Sequence, residues 1–206
     1  MKVLIINGSP RPQGNTKIAL DEMVKIFDQE GIESEIVHVG NKDIRGCIAC
    51  MSCKTRLDHC VFDDCVNEIA KKFEEADGLV VGTPVYFASA NATLIAFLTR
   101  LFYSTSFDKS MKVGASAIVA RRGGISSTYD EINKFFAISG MPIASSQYWN
   151  AIHGREMGEA SQDEEGLQTM RVLARNMSFL MKCIHDGTEK YGLPEKEEFQ
   201  RTNFIR

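Results

Sequence analysis

The loop that follows the first apolar segment of the chain carries side chains suited to binding a phosphate group. Ser9 and Thr16 offer hydroxyls, Arg11 offers a guanidinium, and Asn15 adds a side-chain amide. The apolar run at residues 3–6 predicts a strand buried on both faces, and an amphipathic helix follows the loop. The first N–H groups of a helix are unpaired and lie at the positive end of its dipole, so this segment predicts an anion site. The alternative is that Asn15 or Thr16 only caps the helix.

A second group of reactive side chains is a set of closely spaced thiols. Cys47, Cys50 and Cys53 are separated by three residues each, and Cys60 follows. The three-residue spacing predicts that the first three thiols share one side of a helical turn, where Cys60 can complete a set of four. Four thiolates at such spacing are what a cubane [4Fe–4S] cluster requires. The sequence therefore predicts a metal site in the cysteine loop, which we define as residues 45–62.

Three other interpretations of the cysteine loop stay open at this point. Zinc could use Cys50, Cys53, His59 and Cys60, although structural zinc more often joins two pairs of ligands across a longer loop. The spacing from Cys50 to Arg56 matches that of a phosphatase nucleophile loop, but this segment lacks glycines and does not directly join a core strand to a helix. The thiols could also be free or redox-active without any metal.

Two further loops carry features suited to a planar ligand. Pro84 fixes the chain after an apolar run, and Tyr86 and Phe87 supply flat apolar surfaces. Gly123 and Gly124 would let the backbone approach a ligand closely. Arg121, in the same loop, would place a cation near the ligand's polar edge.

Strands and helices must position these loops, and the sequence patterns of the two alternate along the chain. Strands are predicted at Lys2–Asn7, Ser34–Val39, Gly78–Thr83, Val113–Ala120 and Pro142–Tyr148. Helices are predicted at Thr16–Glu30, Asp64–Glu75, Asn91–Tyr103, Ser126–Ser139 and Glu165–His185. This alternation predicts an α/β fold with a doubly wound, five-stranded parallel sheet in the order 2-1-3-4-5. Loops at the carboxyl ends of its strands would share one ligand crevice.

Composition narrows the class of protein. The chain has 206 residues, 44% of them hydrophobic and 25% charged, which suits one globular domain. The formal net charge of −3 provides no basic surface for nucleic acid. Met1 leads directly into an apolar strand, and no apolar stretch is long enough to span a bilayer. We therefore expect a cytoplasmic protein that binds neither nucleic acid nor membrane.

The loop Gly-Ser-Pro-Arg-x-x-Gly-Asn-Thr closely resembles the phosphate loop of the NADPH-dependent FMN reductase family, a branch of the flavodoxin-like fold. The sequence Thr-Pro-x-Tyr-Phe-x-Ser resembles that family's second flavin loop, and the glycine pair matches its third loop more weakly. The resemblance implies that FMN is the cofactor. The FMN-binding residues it implies, together with those inferred above, are Ser9, Arg11, Gln13, Gly14, Asn15, Thr16, Pro84, Val85, Tyr86, Phe87, Ser89, Arg121, Gly123 and Gly124.

The segment from Gly46 to Asp64 resembles the iron–sulfur flavoproteins, a subgroup of that family. The resemblance implies a [4Fe–4S] cluster held by Cys47, Cys50, Cys53 and Cys60, beside FMN in a homodimer or homotetramer. It also implies NAD(P)H as co-substrate and a small-molecule or protein electron acceptor. No side chain is predicted as a catalytic acid or base, because the flavin supplies the chemistry.

The predicted organisation is a flavodoxin-like FMN-binding domain at residues 1–186, with the cysteine loop as an insertion, and a C-terminal extension at residues 187–206. Three alternative functions remain at this stage. They are a cluster-free NAD(P)H-dependent quinone, azo or FMN reductase, a flavodoxin-like electron carrier, and a zinc-stabilised binding module.

Overall fold

The computed structural model of the chain describes residues 1–198, 200, 202 and 204. Its strands are β1 (Lys2–Asn7), β2 (Glu33–His38), β3 (Gly78–Tyr86), β4 (Ser89–Ala90), β5 (Val113–Ala120) and β6 (Ala151–His153). Its α-helices are α1 (Asn15–Gln29), α2 (Ser52–Thr55), α3 (Cys65–Glu75), α4 (Ala92–Ser104), α5 (Ile125–Ile138) and α6 (Glu164–Tyr191), with a 3₁₀ helix at Glu159–Gln162.

The central sheet has five parallel strands in the order β2-β1-β3-β5-β6. The two-residue β4 pairs antiparallel with the end of β3 and lies off this path. Without β4, the order is the predicted 2-1-3-4-5, and the flavodoxin-like fold class is confirmed. The chain leaves β1 and β3 in opposite directions across the sheet, which makes their carboxyl ends the switch point where such folds bind ligands.

Alternate residues of β1 face two different cores. Val3 and Ile5 pack with residues of α1 and α6, whereas Leu4 and Ile6 pack with residues of α3, α4 and α5. All four side chains are fully buried. Burying a side chain of this size stabilises the fold by about 1.5–3 kcal/mol, so the two helical layers fix the sheet from both faces.

The last strand differs from the prediction. Within the predicted strand Pro142–Tyr148, Ile143 forms a single bridge to Gly114, and the strand proper is β6, at Ala151–His153. The buried side chain of Asn150 accounts for the shift. Its Nδ2 donates to the carbonyl of Ala144 at 3.3 Å and its Oδ1 accepts from the N–H of Ser146 at 3.2 Å. These bonds close residues 144–150 into a loop instead of a strand.

The C-terminal helix is longer than predicted. It begins after Asp163, whose side chain caps it by accepting from the N–H of Gly166, and it runs to Tyr191. The predicted boundary after Asp186 therefore lies inside this helix. Within the described part of the chain, no helix is long and apolar enough to cross a membrane.

Candidate functional site

The loop after β1 is held in shape by its own short-range hydrogen bonds. The side chain of Asn7 accepts from the N–H of Ser9 at 3.0 Å, and the Ser9 hydroxyl accepts from the N–H of Arg11 at 3.2 Å. The N–H of Gly14 then donates to the carbonyl of Arg11 at 3.1 Å. The loop is therefore fixed before any ligand arrives.

The helix that follows this loop has an N-terminus with no side-chain cap. Its N-cap residue is Gly14, and no side chain caps it. The alternative interpretation, in which Asn15 or Thr16 caps the helix, is therefore wrong. The N–H groups of Lys17 and Ile18 donate to the carbonyl of Gly14 at 2.9 and 3.4 Å, whereas those of Asn15 and Thr16 lie at the start of the helix, where no intrahelical acceptor precedes them. Together with the positive end of the dipole of this 15-residue helix, they form an anion site.

The three predicted ligand loops meet at one cavity of about 260 Å³, which we call the flavin cavity after the ligand predicted for it. It lies at the carboxyl edge of the sheet, next to the N-terminus of α1. The predicted residues that line it are Ser9, Arg11, Gly14, Asn15, Thr16, Pro84, Val85, Tyr86 and Arg121.

The other predicted flavin residues lie elsewhere. Gly123 and Gly124 line a neighbouring cavity, and Gln13 is exposed outside both. The ring of Phe87 is fully exposed at 106%, on a residue with φ +49°. The hydroxyl of Ser89 donates to Glu131 at 2.8 Å instead of facing either cavity. A role in flavin binding for these residues stays a prediction.

The side chain of Asn15 makes three hydrogen bonds to other groups of the protein. Its Nδ2 donates to the carbonyl of Glu156 at 2.8 Å. Its Oδ1 accepts from the N–H groups of Gly158 at 2.9 Å and Ala160 at 3.3 Å. These bonds give the Asn15 amide a structural role, and its contact with a phosphate stays a prediction.

The segment that Asn15 holds supplies a wall of the flavin cavity that the sequence did not predict. Gly154 and Arg155, which follow β6, both line the cavity. A Cβ at Gly154 would lie 2.7 Å from Asn15 Nδ2 and 2.8 Å from the N of Ala160, so only glycine allows this close approach. The sequence placed the last strand at Pro142–Tyr148, so the position of Gly154-Arg155 directly after a parallel strand could not be predicted.

The neighbouring cavity has a volume of about 350 Å³ and is lined by residues 122–124 of the same loop. The rings of Tyr148 and Trp149 line it, with centroids 5.3 Å apart, and Arg122 contributes a cation. Burial opposes ionisation of Asp163 here, but hydrogen bonds from Gly166 and His153 outweigh it and lower the pKa of that carboxyl. This cavity combines aromatic surface with charged groups.

The cysteine loop gathers its thiols by a different route from the one predicted. Only Ser52–Thr55 is helical, so Cys47 and Cys50 are not on the face of a helix. Ala49 and Met51, on either side of Cys50, have φ of 52° and 59°. Non-glycine residues rarely adopt this left-handed conformation, and its occurrence at two nearby positions is typical of concave anion and Fe–S sites.

All four predicted cysteine ligands line one small cavity, with a free volume of about 20 Å³, which we call the cysteine cavity. His59 lines a different cavity, so the four donors predicted for zinc are divided between two places. Among the residues described, no three His, Cys, Asp or Glu side chains are arranged to hold one ion. A cubane cluster binds each thiolate at a different iron, so separate thiols around one cavity fit it better than they fit zinc.

The thiols of this region differ in how readily they ionise. Hydrogen bonding from the backbone and side chain of Ser52 lowers the pKa of Cys50. Burial, followed by the charge of Asp64, raises the pKa of Cys65, which does not line the cysteine cavity. Of these two thiols, Cys50 ionises more readily and is also the one that lines the cysteine cavity.

Two polar residues that the sequence analysis missed hold Cys60. The Nε of Arg100 donates to Cys60 Sγ at 3.2 Å. The side chain of Asn67 accepts from the N–H of Cys60 at 3.0 Å and donates to its carbonyl at 2.9 Å. An arginine within the apolar helix α4 was the available signal.

Comparison with known proteins agrees with this geometry. The sequence profile of the family described as NADPH-dependent FMN reductase matches residues 1–156. An iron–sulfur flavoprotein of Methanocaldococcus jannaschii is 35% identical over 89% of this chain and 99% of its own length. One from Methanosarcina thermophila is 30% identical over 92% of this chain and 100% of its own length.

Among solved structures, the fold is similar to that of RosB bound to 8-demethyl-8-formylriboflavin-5′-phosphate. The TM-score is 0.71 with 19% identity, and the match covers 100% of this chain and 92% of RosB.

Proposed function

Because the chain belongs to the NADPH-dependent FMN reductase family, among the iron–sulfur flavoproteins, we propose that this oxidoreductase takes electrons from NAD(P)H and passes them to an acceptor through FMN and a [4Fe–4S] cluster. When bound, FMN accepts hydride and releases electrons singly, and a cluster carries single electrons. The observation that carries the proposal is the meeting of three carboxyl-edge loops at the uncapped N-terminus of α1.

The residues of the flavin cavity divide into two roles. The N–H groups at the start of α1, the hydroxyls of Ser9 and Thr16 and the guanidinium of Arg11 would bind the FMN phosphate. Pro84, Val85 and Tyr86 would form the slot for the flavin ring, with Arg121 supplying positive charge. The positive charge of Arg121 would stabilise the anionic form of the reduced flavin.

The neighbouring cavity supports a place for the second substrate. The paired rings of Tyr148 and Trp149 offer flat surfaces for a nicotinamide or adenine ring. Arg122 at the same cavity offers a cation for the phosphates of NAD(P)H. Gly123 and Gly124 connect this cavity with the flavin cavity along one loop, so a hydride donor bound there would lie next to the flavin.

The cysteine cavity supports the cluster. Its four thiols come from Cys47, Cys50, Cys53 and Cys60, and hydrogen bonds from Ser52 lower the pKa of Cys50. The proposal includes a homodimer or homotetramer, in which a second subunit could cover the fully exposed ring of Phe87.

The proposal is tested on anaerobically purified protein by its visible spectrum and by its iron and acid-labile sulfide content. We expect flavin bands together with stoichiometric iron and sulfide. Cys50→Ser should lose iron and sulfide and keep FMN, because the flavin cavity contains no residue of the cysteine loop. Cys65→Ser is the matched control and should keep both cofactors. Flavin without iron, even after reconstitution, would leave a cluster-free NAD(P)H-dependent reductase as the function.

A further inference from the structure

The guanidinium of Arg100, in α4, reaches both ends of the cysteine loop. Its Nη1 donates to the carbonyl of Arg45 at 3.3 Å, and its Nε donates to Cys60 Sγ at 3.2 Å. Two further bonds, of 2.6 and 2.9 Å, join the guanidinium to the carboxylate of Asp64. One side chain thus connects the residue that begins the loop, its last cysteine and the cap of α3.

Arg100 and Cys60 are both buried, so their contacts are with protein and not with water. Arg100 is 1% exposed and Cys60 is 9% exposed, and the Phe62 ring lies 4.8 Å from the guanidinium carbon. A buried guanidinium must have its charge and its N–H groups satisfied by protein. The carboxylate of Asp64 takes two of the N–H groups in a bidentate pair, which fixes the direction of the remaining Nε–H. That direction points at the Cys60 sulfur.

The backbone of Cys60 is held independently of its sulfur. The amide of Asn67 binds both the N–H and the carbonyl of Cys60, and it also donates to the carbonyl of Phe62 at 3.2 Å. Asn67 lies in α3 and Arg100 in α4, so two core helices fix the position of Cys60. The other three cysteines belong to an exposed or half-buried part of the loop.

We propose that Arg100 is a positioning residue for the cluster. It fixes the sulfur of Cys60 as the preformed fourth ligand, and its Nε–H···Sγ hydrogen bond raises the cluster's reduction potential. The inference rests on the proposed [4Fe–4S] cluster and concerns what this chain does to it.

The effect on the potential follows from electrostatics. Uptake of one electron from the flavin forms and breaks no bond to sulfur but adds negative charge to the cluster and its four thiolates. A hydrogen bond and a buried positive charge at one of these sulfurs stabilise the reduced form more than the oxidised form. Removing them should therefore lower the potential.

The test uses Arg100→Lys in the full-length holoprotein. Lysine keeps the charge beside Asp64 but lacks the fixed fork that directs a second donor at the sulfur. We expect a lower midpoint potential in an EPR-monitored redox titration, with FMN content unchanged. The double variant Arg100→Gln/Asp64→Asn removes the charge pair and keeps an Nδ/Oδ cap on α3. It should shift the one-electron equilibrium at least tenfold, which is about 59 mV.

Lys54→Gln is the matched control. Lys54 is an exposed cation of the same loop, and its Nζ lies over the Tyr103 ring at 5.0 Å without a bond to sulfur. Its loss should shift the potential less than either Arg100 variant. Intact clusters at the wild-type potential in both Arg100 variants would overturn the inference.

A second measurement does not depend on the cluster. In apo-protein, alkylation of Cys60 followed by mass spectrometry should be at least tenfold faster in Arg100→Lys than in wild type, because the sulfur is no longer held in the core. Unchanged alkylation would contradict the positioning role. Wild-type protein that takes up no iron would contradict the proposed function, and the alkylation result would still decide whether Arg100 positions Cys60.

Discussion

The side chain of Asn15 donates to the carbonyl of Glu156 at 2.8 Å and so joins the first turn of α1 to the segment after β6. With its two accepted bonds from Gly158 and Ala160, this one amide holds the wall that carries Arg155. The flavin cavity is thus closed by a contact between residues 141 positions apart in the sequence.

Asn15→Ala should weaken FMN binding through the loss of this wall. Each of the three hydrogen bonds contributes about 0.5–1.5 kcal/mol, so we expect faster amide hydrogen exchange at residues 154–160 together with lower flavin affinity. Asn176→Ala is the control, since it removes an amide hydrogen bond to Ser145 away from the cavity. Unchanged exchange at residues 154–160 would show that the segment does not depend on Asn15.

Arg11→Ala should lower FMN affinity at least tenfold in a fluorescence-quenching titration. A charge-assisted hydrogen bond to phosphate is worth about 1.5–3 kcal/mol. The fold should persist, because the loop is held by the bonds of Asn7 and Ser9. Arg175→Ala removes an exposed arginine of α6 that lines neither the flavin cavity nor its neighbour, and it should bind FMN as wild type does. Equal affinity of both variants would remove Arg11 from the phosphate site.

Gly124→Ala should lower the free energy of unfolding by more than the cost of the left-handed backbone conformation alone, because the added Cβ clashes with the loop that contains Val85 and Ala88. Gly124 has φ +89°, and a Cβ there would lie 2.6 Å from Val85 Cγ1 and 2.8 Å from Ala88 Cα. Gly31→Ala is the control, because Gly31 has φ +71° with nothing within 4 Å of the added atom. Both variants carry the left-handed cost of about 1–2 kcal/mol. Gly124→Ala alone should also lose flavin affinity, and equal effects in thermal melts and titrations would contradict the clash.

Trp149→Ala should raise the KM for NAD(P)H and leave FMN affinity unchanged, if the neighbouring cavity takes the nicotinamide substrate. The substitution removes one of the two rings at this cavity, whose planes are tilted by 50°. Tyr191→Ala, which removes an exposed ring at the end of α6, should leave KM as it is. Steady-state oxidation of NADPH and NADH measures both, and an unchanged KM in Trp149→Ala would direct the search for the substrate elsewhere.

Lys109 should make stability depend on pH. Burial, and then repulsion from Lys54, lower its pKa from 10.5 to about 8. Between these values the unfolded chain holds more protons than the folded one, so this group's contribution to stability rises with pH from about 8 to 10.5. Lys109→Met removes the effect. Urea unfolding should show the variant gaining most over wild type near pH 7.5 and least near pH 10, and a pH-independent difference would contradict this reasoning.

The sequence was sufficient for the fold because the strand signals are strong. The run Val3–Ile6 is uninterrupted and apolar, and it becomes a fully buried strand whose neighbours follow the predicted order. The last strand was misplaced because the apolar segment around Ile143 resembles a strand, whereas β6 has only three residues. The difference depends on the buried amide of Asn150, a contact that periodicity does not contain.

The candidate site was predictable where neighbouring residues act together. The phosphate loop, apart from the exposed Gln13, and the four cysteines are short segments that each line one cavity, and their roles as ligands stay predictions. Arg155 and Arg100 were missed because their partners lie far away along the chain. An arginine in a helix is ordinarily solvent-exposed, and only the tertiary contact with Cys60 and Asp64 shows that Arg100 is buried.

The position of Arg155 bears on the order in which the two cofactors can be loaded. The residues that line the cysteine cavity end at Ser104, whereas those of the flavin cavity extend to Arg155. Domains generally fold as units, and both cavities are built on the same sheet. Both therefore take shape only once the chain has been synthesised through Arg155. Loading of the proposed cofactors would then follow folding of the whole domain and not the order of synthesis.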